Sequence, residues 1–299
     1  PGILMAGARD TTVPPHTAVY PGFISYRGQD APVTFAPEWG RGHESDQSTW
    51  ELAWYWMSEV AKQRYPDDRR PQSSPGQLVE LDELDPATAW YGEAASFLPS
   101  EDPRVADVSA SPYPEISPAA TFSGDAPLAS WLPNEAFATA YRARTLIDLN
   151  RPLGRPPGQF LGGPMEIVSP ESFLPVNLDS AADQPALHVG ETVTFRVEPN
   201  EFDDAASILS MQFFVGDQLI GEDSTGPDWW VPFTLDAVGI QGLTVVATNS
   251  LGERTSAFRA ILVQPVAIPE PSPLTLLTMA LVGFMLADRS TEGRSPAAI

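Results

Sequence analysis

The sequence predicts a multidomain chain: a partial α/β segment in front, an all-β antiparallel sandwich behind it, and an apolar helix close to the C-terminal end. Three observations carry that expectation. The chain opens on an apolar run, Ile3-Leu4-Met5-Ala6, that ends in a glycine and an aspartate, which is how a buried parallel strand finishes. From Thr192 onward the hydrophobic period changes to two, the signature of half-buried strands. Residues 274–287 then form a nearly unbroken apolar stretch. A length of 299 residues suits about two domains, and the composition divides the chain at 1–65, 66–175, 176–266 and 267–299.

In the first segment, Gly7-Ala8-Arg9-Asp10-Thr11-Thr12-Val13-Pro14 places a carboxylate in the loop at a strand's carboxyl edge. Ala31-Pro32-Val33-Thr34-Phe35 offers a second short strand, and His43 follows it in Trp39-Gly40-Arg41-Gly42-His43-Glu44. Two neighbouring parallel strands would bring Asp10 and His43 to one sheet edge. Ser48-Thr49-Trp50-Glu51 has the form of a capping box. The helix it opens carries Trp50, Leu52, Ala53, Trp54, Trp56, Met57, Val60 and Ala61, apolar around most of its circumference, and should stop near Arg64-Tyr65-Pro66. His16 reads as a solvated turn residue.

On these residues the first segment resembles the C-terminal part of an α/β-hydrolase, of the dienelactone-hydrolase and esterase-like branch. The resemblance covers residues 1–65, about a fifth of the chain. It implies a triad in the order Ser, Asp, His, with Asp10 accepting the Nδ1 proton of His43 and His43 taking the serine proton. The family's nucleophile lies upstream of the aspartate in Gly-x-Ser-x-Gly, and that pentapeptide does not occur in this sequence. The expectation is therefore a C-terminal fragment whose nucleophile serine is not in this chain and which does not turn over an ester alone. The bland alternative is a surface histidine beside an ordinary turn aspartate.

The balance of charge and residue types narrows the function classes. A formal net charge of −22, with 17 basic residues, argues against nucleic-acid binding, which needs clustered Lys and Arg. There is no cysteine, so no disulfide and no thiolate nucleophile or ligand. His16, His43 and His188 are far apart and follow no zinc-binding spacing. The acidic runs 80–85 and 201–204 lack the alternating ligands and glycine of a calcium loop and read as solvated charge. No glycine-rich phosphate loop occurs, and no cofactor is expected.

Residues 66–175 are read as a proline-rich connector or a small irregular module. Of the 32 prolines, 18 fall between Pro66 and Pro185, which disfavours long helices and central strands. Asp67 to Gln77 is the expected hinge. Within Trp131–Arg144, Pro133 at a helix start and Phe137, Ala140, Tyr141 and Arg144 at helical spacing predict a short amphipathic helix. Trp90, Tyr91, Phe97, Phe122 and Trp131 are too many aromatics for a disordered stretch, and either pack the region or line a polysaccharide groove.

Six strand-sized runs follow: 192–197, 210–215, 219–221, 230–235, 243–248 and 257–263. Turn residues such as Gly216-Asp217 and Asn249-Ser250-Leu251-Gly252 separate them, and runs of this spacing predict an antiparallel sandwich. The hairpin Met211–Gly221 and the strand and turn Leu243–Gly252 resemble bacterial immunoglobulin-like modules, which implies a spacer or adhesion role. Alternation requires one of Trp229 and Trp230 to face inward.

Pro269-Glu270-Pro271-Ser272, the apolar stretch 274–287 and then Arg289 and Arg294 resemble the tripartite PEP-CTERM sorting signal. Fourteen residues are short for a span, which wants about 20, and Asp288 interrupts the basic end; a plain terminal helix is the alternative. The resemblance implies export in a Gram-negative-type bacterium, a membrane contact through 274–287, an exosortase-like sorting enzyme as partner, and delivery from the inner membrane to the cell surface or extracellular matrix.

The functional expectation is the C-terminal fragment of an exported, surface-sorted serine hydrolase of esterase or depolymerase type, acting on an ester or polymer substrate, with an immunoglobulin-like spacer. The rival is a non-enzymatic cell-surface adhesion or spacer protein, carbohydrate-binding through its sandwich.

Overall fold

A parallel pair begins the chain. β1 (Gly2–Gly7) runs beside β2 (Val33–Glu38), with Ile3 opposite Thr34 and Leu4 opposite Phe35. Parallel strands need a crossover, and here it is α1 (Val19–Arg27), which buries Phe23 and Arg27. Tyr20, Phe23, Ile24 and Arg27 repeat at helical spacing, but Pro21 and Gly22 obscure the period. Pro21 is tolerated because it sits in the first turn, where N–H groups have no intrahelical acceptor. Phe23, Phe35 and Phe97 pack together, with ring centroids 5.3 and 5.5 Å apart along the series.

The computed structural model describes residues 1–8, 10–38, 43, 47–65, 81–99, 101, 106–109, 114–145, 159–160, 163–170, 187–199, 207–250 and 254–266. Residues 1–264 form one compact unit, and residues 265–299 fall outside it.

α2 (Gln47–Arg64) ends where expected but starts two residues before the first helical position a Ser48 cap would set, so Ser48 lies within the helix instead of capping it. Its environment is less uniform than its composition: Leu52, Tyr55, Trp56 and Val60 are buried, whereas Trp50, Trp54 and Met57 are exposed.

The proline-rich middle departs from a mainly extended, irregular reading. β3 (Trp90–Glu93) lies between β6 (Ile116–Pro118) and β7 (Ala129–Leu132) in an antiparallel sheet, and β4 (Ser96–Pro99) pairs with β5 (Ala106–Ser109). The prolines permit this because Pro99 and Pro118 are the last residues of their strands and Pro133 lies between elements. The helix read around Trp131–Arg144 is α3 (Glu135–Thr145); Trp131 and Leu132 belong to β7 instead. Asn134 Oδ1 accepts the Phe137 N–H at 2.9 Å, so an asparagine cap rather than Pro133 starts the helix. Trp131 and Phe97 are buried, which favours packing over a groove for these two rings. The stretch read as the hinge, 67–77, lies outside the described residues.

All six strand runs of the sandwich are present. β8 (Gln159–Phe160), β9 (Gly163–Ser169), β11 (Thr192–Pro199) and β14 (Trp229–Thr234) form one sheet in the order β14-β11-β9-β8. β10 (Leu187–His188), β12 (Ile208–Val215), β13 (Gln218–Asp223), β15 (Gly239–Asn249) and β16 (Arg254–Gln264) form the other, ordered β10-β16-β15-β12-β13. β14, β11 and β9 stand where strands E, B and A of an immunoglobulin-like sandwich stand, and β16, β15, β12 and β13 where G, F, C and C′ stand. Trp229 faces inward and Trp230 outward, as alternation requires. Phe195, Met211, Phe213, Leu243, Val245 and Ile261 fill the space between the sheets.

The larger sheet is covered on its other face as well. Phe258 and Ala260 of β16 belong to a core with Leu52, Tyr55 and Trp56 of α2 and Phe137, Ala140 and Tyr141 of α3, joined by Ile240 and Leu262. The sandwich therefore carries a helical layer, and the segment 1–65 shares that core.

Candidate acid–base site

The loop after β1 is shaped by the carboxylate it carries. The Asp10 N–H donates to the Gly7 carbonyl at 3.0 Å, and Asp10 Oδ1 accepts the backbone N–H groups of Thr12 and Val13, each at 2.8 Å. This Asx turn fixes the carboxyl group and leaves Oδ2 free to face the neighbouring loop. There it stands 2.8 Å from His43 Nδ1. The two residues that the sequence singled out, 33 positions apart, are thus brought together at the carboxyl edge of the parallel pair.

Their exposures differ sharply: the Asp10 side chain is 9% exposed and that of His43 60%. Burial works to raise the Asp10 pKa, but the hydrogen bonds from Val13, His43 and Thr12 together outweigh it and hold the carboxyl below its ordinary value. An ionised carboxylate can only accept, so the proton of this bond lies on His43 Nδ1, which leaves Nε2 as the acceptor nitrogen of the neutral ring. The mostly exposed ring leaves that nitrogen accessible.

His16 corrects the expectation of a solvated turn. It is 6% exposed, and its Nδ1 is buried without a hydrogen-bond partner. His188 lies at the end of β10, in the sandwich. Among the described residues, no three His, Cys, Asp or Glu side chains cluster as a metal site.

Sequence reasoning missed the residues that hold the parallel pair against the middle segment. Arg27 is buried, its Nε, Nη1 and Nη2 donating to the carbonyls of Ala129, Ala31 and Ala126 at 2.7, 2.7 and 2.8 Å, with its guanidinium 5.2 Å from the Tyr91 ring centroid. The side of β2 away from β1 is closed by hydroxyls. Ser130 Oγ accepts the Phe35 N–H at 3.0 Å and donates to the Phe35 carbonyl at 3.0 Å, and Tyr141 Oη donates to that carbonyl at 2.8 Å. Burial pushes the Tyr141 phenol up to about 12, against the hydrogen bonds of Ser130 and Thr145. Trp56 Nε1 donates to Thr34 Oγ1 at 2.9 Å, and Thr34 Oγ1 in turn donates to the Trp131 carbonyl. No local pattern announces such long-range pairs.

Outside the compact unit, residues 267–299, including the stretch 274–287, are not among the described residues. Among the described residues no helix is long and apolar enough to cross a membrane.

No family model matches this chain, and no curated protein does. Solved structures do. Fibronectin(III)-like modules of Clostridium thermocellum CbhA are 23% identical over 34% of this chain and 46% of theirs, less than half of that protein, at a TM-score of 0.27. Superoxide reductase (neelaredoxin) from Ignicoccus hospitalis is 16% identical over 27% of this chain and 76% of its own, at 0.23. The PKD domain of human SorCS2 is 16% identical over 40% of this chain and 89% of its own, also at 0.23. At these overlaps the likenesses carry no functional argument, and the sandwich rests on its own strand order.

Proposed function

We propose that Asp10 and His43 are the acid and base of a serine-hydrolase triad of the α/β-hydrolase kind, acting on carboxylic esters, with the nucleophile serine and the oxyanion hole contributed by polypeptide outside this sequence. One observation carries the reading: a buried carboxylate, pinned by its own turn, bonded to Nδ1 of an accessible histidine at the carboxyl edge of two parallel strands. In this reading His43 Nε2 removes the serine proton as the hydroxyl attacks the ester carbonyl, and returns it to the leaving alkoxide. Asp10 stays ionised throughout and holds the imidazolium.

The test begins with the coding DNA upstream of Pro1, read to a start codon. A strand, Gly-x-Ser-x-Gly and helix unit should precede this segment. The complete product should label with a fluorophosphonate and hydrolyse p-nitrophenyl esters, and His43→Ala should abolish both. A reading frame that closes without a serine elbow, or a His43→Ala protein with undiminished hydrolysis, removes the proposal.

The tail belongs to the same proposal. We assign residues 267–299 to export and surface sorting on the strength of Pro269-Glu270-Pro271 followed by the apolar run and arginines. Deleting 267–299 should release the product from the cell surface; unchanged surface retention would refute the assignment.

A further inference from the structure

We propose that Glu51 and Tyr55 are positioning residues for His43, so that the β-sandwich sets the geometry of the acid–base pair instead of acting as a spacer; this rests on the reading of Asp10 and His43 as acid and base. One helical face of α2 meets one register pair of the sandwich. Glu51 and Tyr55 lie four residues apart, hence on the same face, and Gly242 of β15 pairs with Ala260 of β16. β10 covers the edge of β16 at Val263 and Gln264, and further back along that strand Glu51 Oε2 accepts the Ala260 N–H at 3.1 Å. Glu51 is 4% exposed, and one of its carboxylate oxygens is engaged by a strand of the sandwich.

Tyr55 is the second anchor. Its ring lies across Gly242 so closely that a Cβ there would stand 2.6 Å from Cε1 and 2.7 Å from Cζ, and its hydroxyl engages the Gly242 backbone. Glycine in a strand interior marks such an approach of another group. From the adjacent position α2 also reaches the parallel pair, through Trp56 and Thr34. The helix thus ties the sandwich to the strands that carry the site, and it starts four residues after His43.

The two members of the pair depend on this tie unequally. Asp10 is held by hydrogen bonds within its own turn. His43, with a mostly exposed ring, lies five residues after β2 and four before α2 in the sequence. Loosening α2 on the sandwich should free His43 and leave Asp10 in place.

Nitrogen-15 NMR of the whole chain tests this. In the unaltered protein the His43 Nδ1–H should give a slowly exchanging, downfield imidazole signal. Glu51→Ala should lose that signal to exchange, and Glu51→Gln should keep it, since the amide oxygen still accepts from Ala260. Gly242→Ala, which unseats Tyr55 without touching a charge, should lose it too. The Thr12 and Val13 amides, which report the Asp10 turn, and the Met211 methyl, which reports the sandwich core, should stay unchanged in all three. A retained His43 signal in Glu51→Ala and Gly242→Ala overturns the proposal, as does loss in Glu51→Gln equal to that in Glu51→Ala. Collapse of the Met211 signal together with that of His43 overturns it as well, because the contacts would then serve folding alone. Esterase activity does not enter the readout: a protein that never hydrolyses an ester while its His43 responds as described loses the hydrolase reading and keeps this one.

Discussion

The Tyr55 ring lies against Gly242 where any other residue would place a carbon, 2.6 Å from Cε1. A helix from the first 65 residues and a strand from the last quarter of the chain are thereby in direct contact, in a core that also holds Phe258, Ala260 and Phe137. Gly242→Ala should therefore destabilise the protein by about 1–3 kcal/mol, the usual cost of overpacking a core. Urea unfolding would read it as a lower midpoint at unchanged slope. A midpoint equal to that of the unaltered protein would mean that the ring moves aside without penalty.

Asp10 makes the acid limb of stability predictable. Its folded pKa lies below the ordinary value of 3.8, so folding favours the carboxylate. The stabilisation is present above about pH 4 and is lost as pH falls through the lower, folded value. Asp10→Asn should be less stable near neutrality, where it lacks that contribution, and its curve should converge on that of the unaltered protein as the pH falls. Thermal melts between pH 2 and 7 provide the check; parallel curves across that range would show that Asp10 contributes no linkage.

Closure of the β2 edge by hydroxyls leads to an ordered pair of effects. Tyr141→Phe removes one donor to the Phe35 carbonyl, which Ser130 still serves, so the cost should be about 0.5–1.5 kcal/mol. Ser130→Ala strands the buried Phe35 N–H as well and should cost about 1–3 kcal/mol. A lower denaturant midpoint for Tyr141→Phe than for Ser130→Ala would reverse the assignment of which hydroxyl closes the strand.

The legibility of these features in the sequence follows their range. The Asp10 turn is local, and its Gly-x-x-Asp-x-x-Val-Pro spacing displays both the strand end and the carboxylate. β11, β12 and β14 are readable because one face of each is buried between the sheets, which imposes a period of two; β15 and β16 are covered on both faces and are legible as apolar runs bounded by turn residues. α1 was hidden because Pro21 and Gly22 break its apolar face, although neither breaks the helix. The middle segment misled through its proline count, since prolines at strand ends leave the ladder intact. His16 misled for the opposite reason: a polar residue in a proline-flanked turn is buried by tertiary packing that no neighbour announces. Glu51, Ser130 and Tyr141 act across 209, 95 and 106 residues, and a single sequence carries no sign of such pairs.

The two faces of α2 should respond differently to substitution. Leu52 is 1% exposed and Trp54 42%. Leu52→Ala should cost about 2–5 kcal/mol through lost burial and a cavity, whereas Trp54→Gln should stay within about 0.5 kcal/mol. Composition alone ranks the tryptophan as the greater loss, so thermal unfolding of the two variants separates exposure from residue type. A Trp54→Gln protein as unstable as Leu52→Ala would place the indole in a contact that these residues do not make.

The sandwich itself should not behave as a free-standing bead. Phe258, Ala260, Ile240 and Leu262 cover their strand faces with α2 and α3, so a fragment spanning 159–266 would present that apolar face to water. Burying a side chain such as Phe or Leu is worth about 1.5–3 kcal/mol, and the exposed patch should drive self-association and bind a hydrophobic dye. Residues 1–266 should do neither. Replacing Phe258 and Leu262 together by lysine should restore a monomer in the fragment and unfold the longer chain, because the same positions face water in one and the helical core in the other. Sedimentation and dye fluorescence of the four proteins decide it: a fragment that is already monomeric and dark to the dye would return the sandwich to the role of a spacer.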